Sequence, residues 1–150
     1  MRIVTTGNDH PEFLNLCCEL DVYLDQIVGG RSKRTAYVSL NSIKDVSVVF
    51  LLCDENLTLG CAALKPLDIT TAEIKRVFIR EKYRGHDLAR GLMLTLEIHA
   101  RNLGFSQLVL ETGRLLVAAT NLYFSLGYKT IANYGPYVNM PQSVCMGKQL

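Results

Sequence analysis

The sequence predicts an α/β (α+β) domain with a central mixed, mostly antiparallel sheet of about six to seven strands flanked by helices. Apolar runs, of which residues 46–53 are the longest, are typical of buried strands. Two other segments, from Leu88 and from Leu115, repeat apolar residues every three or four positions, as a helix with one buried face does. The 150 residues, 49% of them hydrophobic and 20% charged, are enough for one domain spanning residues 1–150.

The N-terminal region predicts a strand, a helix and a polar segment. Residues 1–6 are typical of a strand, and the helix after them has Asp9 as its expected N-cap, with Glu12 in the capping-box position. Gly29 is expected to end this helix. Residues 31–44 are polar and predict a loop with a short helical or extended fragment, which is a candidate for contact with a substrate.

The rest of the chain alternates strands with two helices. A meander of three strands comes first, and Gly60 within it suggests a bulge or a close backbone approach. A turn rich in basic residues and glycine, at residues 80–87, then leads into the helix from Leu88, which Gly104 ends. The predicted elements beyond residue 45 are strands at 46–53, 57–65, 73–79, 107–111, 129–132 and 143–148 and a second helix at 115–126.

Residues 73–91 have the physical form of an anion-binding site. A strand that ends in a turn and opens a helix presents N–H groups without intrahelical partners at the positive end of the helix dipole. Gly85 lets the backbone come close to a ligand, and Arg84 adds a fixed charge with planar donors. A phosphate or pyrophosphate suits such a place. Because strand–turn–helix units are common, a purely structural role would give the same pattern.

Two motifs in this setting resemble those of the GNAT (Gcn5-related) N-acetyltransferase family, and the closing stretch from Gly127 also resembles a subgroup of small bacterial members. The family's phosphate loop, Q/R-x-x-G-x-G/A between a strand and a helix, is similar to the stretch from Arg84 to Ala89. A second family segment, A-x-x-L-Y-x-x-x-G-[FY], is similar to the stretch from Ala119 to Tyr128. The resemblance follows the order of elements from Ile3 to the C-terminus and implies a GNAT-like sheet.

The resemblance implies acetyl-coenzyme A as donor, an amine of a small molecule or peptide as acceptor, and no metal. The strand backbone would pair with the pantetheine arm and stabilise the oxyanion, and the loop N–H groups would hold the pyrophosphate. Asp87 stands where the family usually has glycine, and Leu116 where many relatives carry asparagine. The Asp87 carboxylate is therefore expected to point away from the phosphates and cap the helix. The implied coenzyme-binding residues are Val77, Phe78, Ile79, Arg84, Gly85, His86, Asp87, Leu88 and Ala89.

The resemblance also implies two catalytic residues, Tyr123 and Glu73. Tyr123 matches the family tyrosine that lies near the coenzyme A sulfur and can act as general acid, although a packed helix aromatic would look the same. Glu73 would be the base, directly or through water, and on strand alternation it should share a face with Lys75 and Val77. A salt bridge from Glu73 to Lys75 is the structural alternative, and Glu111 is the alternative base.

Several other classes are disfavoured or left open. A net charge of +2 with interspersed signs argues against nucleic acid, and three scattered histidines suggest no metal site. No apolar leader or long apolar run indicates a membrane, and the five cysteines are typical of reduced thiols in the cytoplasm. A homodimer is compatible with these features. So is a non-catalytic acyl-coenzyme A sensor or partner module, for which Asp87 is the best support.

The identity of the acceptor is left open by the sequence. Tyr37 and Asn41, in the polar segment, and Tyr134 and Tyr137, between the last two strands, are expected either to border the acceptor pocket or simply to pack over the sheet edge. Neither region is strongly acidic or basic. A polyamine, an amino acid, an antibiotic and a peptide terminus therefore all stay candidates.

Overall fold

Seven strands form one mixed sheet in the order β1-β2-β3-β4-β5-β7-β6, in a computed structural model that describes residues 1–150. Neighbouring strands are antiparallel, except that β4 and β5 run parallel. The strands are β1 (Arg2–Thr6), β2 (Val48–Asp54), β3 (Leu57–Pro66), β4 (Thr71–Ile79), β5 (Gln107–Gly113), β6 (Lys129–Ile131) and β7 (Ser143–Gln149). The helices are α1 (Pro11–Val28), α2 (Thr35–Val38), α3 (Leu88–Asn102) and α4 (Val117–Ser125). The predicted fold class is confirmed.

The sheet separates two apolar layers. On one face, β2 places Phe50 and Leu52 in a core that α3 and α4 cover. On the other face, the alternate residues Val49 and Leu51 pack against α1. Each such side chain, when fully buried, stabilises the fold by about 1.5–3 kcal/mol, so the alternation of β2 fixes which face each helix covers.

A β-bulge interrupts β4 in its middle. Arg76 and Val77 together stand opposite the single residue Ala62, because Lys75 pairs with Ala63 and Phe78 with Cys61. Arg76 has the left-handed φ of +58° that a bulge residue can adopt. The extra residue reverses the alternation of every side chain that follows it. The expectation that Val77 shares a face with Glu73 is therefore wrong, since Val77 packs on the α3 side.

Gly60 of β3 lies where two backbones come close together. A Cβ at this position would be 2.5 Å from the carbonyl oxygen of Phe78 and 2.5 Å from Cδ1 of Ile79. The register of β3 against β2 also shifts next to it. The predicted close approach and bulge are both confirmed.

The first helix begins one residue later than expected. Asp9 belongs to a turn that the N–H of His10 closes on the carbonyl of Gly7 at 3.4 Å. His10 is therefore the N-cap, and its Nδ1 accepts a hydrogen bond of 3.2 Å from the N–H of Glu12. The polar segment that follows α1 is largely helical, with α2 between 3-10 turns at Arg31–Lys33 and Ser39–Asn41. No helix is both long and apolar enough to cross a lipid bilayer.

Candidate active site

A cleft opens where β4 and β5 diverge. The two strands pair only from Thr71 to Ile74 on β4 and from Gln107 to Leu110 on β5. Beyond Ile74, the edge of β4 that faces β5 has no strand partner. A strand edge of this kind presents N–H and C=O groups to a ligand. Two cavities lie in this cleft, of about 530 Å³ and 360 Å³.

The larger cavity is mostly apolar and ends at the turn between β4 and α3. The structure brings nearly all of the expected coenzyme-binding residues to its wall. His86 is the exception, because its ring is exposed and its Nδ1 lies 3.0 Å from the carbonyl oxygen of Arg84. The expected residues that line the cavity are Val77, Phe78, Ile79, Arg84, Gly85, Asp87, Leu88 and Ala89.

The turn before α3 presents a run of backbone donors. None of the N–H groups from Gly85 to Arg90 donates to an acceptor in the protein, and the first bond of the helix runs from Gly91 to the Asp87 carbonyl, at 3.0 Å. Gly85 has a φ of +83°, and a Cβ there would meet no atom within 4 Å. These donors, at the positive end of α3, fit the pyrophosphate of a coenzyme.

Arg84 is held beside these donors. Its Nε donates to the carbonyl of Ile79 at 2.8 Å. Its guanidinium carbon lies 4.4 Å from the ring centroid of Tyr23 and 5.5 Å from that of Phe78, which are cation–π distances. The terminal nitrogens of Arg84 make no bond within the protein and remain available to an anion in the cavity.

Asp87 fills the N-cap position of α3 but does not act as the expected cap. Its side chain makes no hydrogen bond to the helix, and its φ is +55°. A capping side chain normally belongs to a residue in the extended region, from which it can reach the second or third N–H of the helix. The left-handed backbone explains the missing bond, and it also explains why glycine suits this position. The Asp87 carboxylate is left exposed at the larger cavity.

The smaller cavity has a charged wall. Its lining includes five basic and two acidic side chains from segments far apart in the chain. Sequence reasoning missed most of them, because isolated charges in unrelated segments carry no motif. Elsewhere, no group of three or more His, Cys, Asp or Glu side chains is placed to hold a metal ion. The charged lining residues are Lys33, Arg34, Lys75, Arg76, Arg114, Glu73 and Glu111.

Tyr123 stands where the two cavities meet and lines both of them. It projects from α4, and its ring packs edge-on against Tyr128 with centroids 6.0 Å apart. Burial, followed by the charge of Glu111, raises the pKa of the Tyr123 hydroxyl well above its usual value. The hydroxyl therefore keeps its proton at neutral pH, as a proton donor must.

Glu73 lies deep in the smaller cavity and is fully engaged. Its Oε1 is 3.4 Å from Nζ of Lys75, and its Oε2 accepts a short hydrogen bond from the Tyr134 hydroxyl. The bulge after Lys75 keeps Glu73 on the α1 face, away from Val77. The alternative foreseen for Glu73, a salt bridge to Lys75, is thus observed.

Glu111 is half-buried at the end of β5 and has no ion-pair partner. Burial raises the pKa of its carboxyl, and the nearby charge of Glu73 adds to the effect. A hydrogen bond from Ser143 and the charges of Lys75 and Arg34 oppose it without cancelling it. A carboxylate whose pKa is raised toward neutrality is a stronger base.

The two loops expected near the acceptor do approach this cavity. Tyr37, Asn41 and Tyr137 line it, whereas Tyr134 reaches it only through its bond to Glu73. The amide of Asn133 donates to the carbonyl groups of Tyr137 and Met140 in the same loop and of Ser143 at the start of β7, at 3.1–3.3 Å, and so ties the loop to the sheet.

Comparison with known proteins gives a consistent result. The model of the acetyltransferase (GNAT) family matches residues 19–128. An IAA acetyltransferase of Azospirillum brasilense is 31% identical over 155 residues, which cover 100% of both chains. The crystal structure of a Klebsiella pneumoniae protein, provisionally named an acyl-CoA N-acyltransferase, has a TM-score of 0.81 at 30% identity and covers 99% of this chain and 97% of its own. The PaiA N-acetyltransferase of Thermoplasma acidophilum, solved with coenzyme A, has a TM-score of 0.71 at 18% identity, with full coverage of both chains at 100%.

Proposed function

The chain belongs to the GNAT acetyltransferase family, and we propose that it transfers an acetyl group from acetyl-coenzyme A to the primary amine of an acceptor. The observation that carries the proposal is the meeting of two different cavities at Tyr123. A group at this junction can contact both the coenzyme sulfur and the acceptor. Residues 1–150 would act as one domain, because a single sheet forms the whole cleft.

The larger cavity would hold the coenzyme. Free backbone groups of residues 77–79 would pair with the pantetheine arm, and the donors from Gly85 to Arg90 would bind the pyrophosphate together with Arg84. Acetyl-coenzyme A, when bound, supplies a thioester whose C–S bond breaks as the C–N bond to the acceptor forms. A backbone N–H of residues 77–79 is the proposed donor to the developing oxyanion.

Glu111 is the proposed base. The acceptor amine must lose a proton before its nitrogen can attack, and Glu111 combines a raised pKa with the absence of an ionic partner. Glu73 is the alternative base, but its charge is already balanced by Lys75 and its second oxygen is bonded to Tyr134. In this assignment Glu73 positions Lys75 and the loop of Tyr134.

Tyr123 is the proposed acid. The ammonium gives one proton to Glu111, and the neutral nitrogen then forms the bond to the acetyl carbon. As the C–S bond breaks, the Tyr123 hydroxyl gives its proton to the sulfur, and the second proton of the nitrogen restores the tyrosine directly or through water. One acetyl group moves, one thiol forms, and one proton leaves by way of Glu111.

Two measurements on the purified chain test the proposal. Calorimetry should detect acetyl-coenzyme A binding at one site per chain, and thiol release should follow when an accepted amine is added. Binding without thiol release from any amine would instead favour the non-catalytic coenzyme-binding module, for which the exposed Asp87 carboxylate is the specific observation. Absence of binding would contradict both functions.

A further inference from the structure

We propose that the acceptor is a free amino acid with an uncharged, apolar side chain, whose carboxylate is bound by Arg114 while its amine faces Glu111. This inference rests on the proposed function, because it names the acceptor of the smaller cavity. It is argued from the charged side chains of that cavity that have no ionic partner within the protein.

Three of the five cations in the cavity wall are neutralised within the protein. Arg34 lies 2.6 Å from a carboxylate oxygen of Asp25, and Arg76 lies 3.0 Å from one of Asp21. Lys75 is paired with Glu73 and also donates to the carbonyl of Leu40 at 2.8 Å. These pairs are part of the wall and leave little charge for a ligand.

The charges without an ionic partner are those of Arg114, Lys33 and Glu111. The cavity therefore offers free positive charge and one free carboxylate at the same time. A ligand that carries one charge of each sign satisfies both, and an amine with a carboxylate on the same small molecule is such a ligand. Arg114 is exposed and hydrated in the absence of a ligand, so a plain amine would gain no charge-assisted bond there, whereas a carboxylate would.

Arg114 is held in a way that suits carboxylate recognition. Its backbone N–H donates to the carbonyl of Gln142 at 2.9 Å, and its Nε donates to the carbonyl of Pro141. Neither terminal nitrogen has a partner in the protein. A guanidinium that is held by its Nε presents the other two nitrogens as a planar fork, which matches the two oxygens of a carboxylate.

The spacing of Arg114 and Glu111 fits a small zwitterion. Arg114 follows Glu111 by three positions and lies in the turn directly after β5, so their Cα atoms are at most about 10 Å apart at the rise of an extended chain. Both side chains contribute to the same cavity wall, so one small molecule can contact both. An α-amino acid carries its amine and its carboxylate on a single carbon and offers one group to each side chain.

The rest of the wall selects against further charge. Ile27 and Val28 of α1 line this cavity alone, and Leu20, Leu24, Leu115 and Leu116 line both cavities, so the acceptor's side chain would meet an apolar surface next to the coenzyme. A polyamine or a polycationic antibiotic would bring additional positive charge to a wall whose two unpaired cations, Lys33 and Arg114, already outnumber its one unpaired carboxylate. Polycations are therefore expected to be poor acceptors.

The first test compares three acceptors that share one side chain: leucine, leucinamide and 3-methylbutylamine. The amide lacks the negative charge and resembles a peptide terminus, and the amine lacks the carboxyl carbon altogether. Thiol release should show a kcat/KM for leucine about 10- to 100-fold above those of the other two, as expected for one charge-assisted bond to the carboxylate. Because the amine of leucinamide is easier to deprotonate than that of leucine, a preference for leucine over leucinamide cannot arise from the fraction of free amine, and this pair is therefore the decisive comparison.

The second test uses Arg114→Gln with Lys33→Gln as its matched control. Arg114→Gln should raise KM for leucine about 10- to 100-fold and leave that for 3-methylbutylamine unchanged, so that the preference disappears. Calorimetric titration of leucine into the protein saturated with coenzyme A should show the same loss of affinity without any turnover. Lys33→Gln should keep the preference for leucine.

The outcomes separate this inference from the proposed function. Equal or better turnover of leucinamide, 3-methylbutylamine or spermidine would overturn the amino-acid assignment and leave the acetyltransferase intact. An unchanged preference in Arg114→Gln would overturn the role of Arg114. Absence of acetyl-coenzyme A binding would instead contradict the proposed function itself.

Discussion

The two ends of the cleft share seven lining residues but present different kinds of group to a ligand. At the coenzyme end, the ligand-facing groups are mainly backbone: the free edge of β4 and the N–H groups from Gly85 to Arg90. At the acceptor end, they are side chains that come from α1, the polar segment after it, β4, and β5 with the turn that follows. On the proposed function, the first arrangement would recognise a shape and a pyrophosphate, and the second a pattern of charge.

This difference predicts how each end responds to mutation. A backbone site depends on local conformation, so changes at Gly85 or Asp87 should alter coenzyme affinity and leave the acceptor untouched. A side-chain site can be changed one charge at a time, as at Glu111 or Arg114. Tyr123 lines both cavities and belongs to neither end.

The largest effect is expected at this junction. Tyr123→Phe removes the proposed proton donor to the sulfur and keeps the packed ring, so kcat should fall about 100-fold or more. Calorimetry should give unchanged affinities for acetyl-coenzyme A and for the acceptor. Tyr128→Phe is the control, since this neighbouring ring lines neither cavity; an equal loss in both variants would mean that packing, not proton transfer, is at work.

The next effect separates the two carboxylates of the acceptor end. Because the pKa of Glu111 is raised above the 4.5 of an ordinary glutamate, kcat/KM should fall as the pH falls through that pKa and the base becomes protonated. Glu111→Gln should lower kcat/KM by about 10- to 100-fold and remove this acidic limb from the pH profile. Glu73→Gln should keep the limb, and the reverse result would make Glu73 the base.

The same substitution has a second readout in stability. A carboxyl whose pKa is raised on folding is favoured in its protonated form, so its ionisation costs stability as the pH rises. Glu111→Gln should therefore raise Tm at about pH 8 and much less at about pH 4, where the native side chain is mostly protonated. A uniform shift at both values would point to packing alone.

A smaller effect is expected at the coenzyme end. Gly85→Ala puts a side chain on a residue with a φ of +83°, which costs about 1–2 kcal/mol, so the loop should shift and the Kd for acetyl-coenzyme A should rise about 10-fold. The acceptor affinity should not change. Gly104→Ala is the matched control. Gly104 has a φ of +93° and open space around it at the far end of α3, so the substitution introduces the same backbone strain at a position outside the cleft. Equal losses of coenzyme affinity in both variants would argue against the loop as the binding site.

The smallest effect is expected at Asp87. Asp87→Gly removes a negative charge from the wall of the coenzyme cavity and relieves a left-handed backbone. The Kd for acetyl-coenzyme A should decrease by about two- to five-fold, which corresponds to 0.3–1 kcal/mol. Asp87→Asn keeps the shape and removes the charge, so it separates the two causes. Weaker binding in both variants would mean that the carboxylate contributes to the site.

The contrast between the two ends also explains what the sequence could predict. The coenzyme end lies mostly in one continuous stretch, and a turn with Gly85 before an amphipathic helix has a recognisable local pattern. The acceptor end has no such pattern, because Arg34, Glu73 and Arg114 meet only after the sheet has formed.

The errors have local causes of the same kind. The prediction that Val77 shares a face with Glu73 was wrong because one inserted residue, Arg76, reverses the alternation of side chains along β4. Nothing in the apolar pattern of β4 marks this insertion. The prediction that Asp9 is the N-cap of α1 was wrong because the turn before α1 ends one residue later, at His10. Likewise, the role of Asp87 as a capping side chain depended on its backbone angle, which residue type alone does not fix.

The bulge in β4 has a consequence for how such a protein can diversify. Before it, Glu73 and Lys75 line only the smaller cavity; after it, Phe78 and Ile79 line only the larger one, and Val77 lines both. Substitutions before Arg76 can therefore alter what is acetylated without disturbing what donates the acetyl group. Deleting Arg76 would remove this independence, because Val77, Phe78 and Ile79 would each move to the opposite face of the sheet. Side chains that now pack on the α3 side would then face α1, and the reverse. A single extra residue thus lets one strand serve two ligands under separate selection.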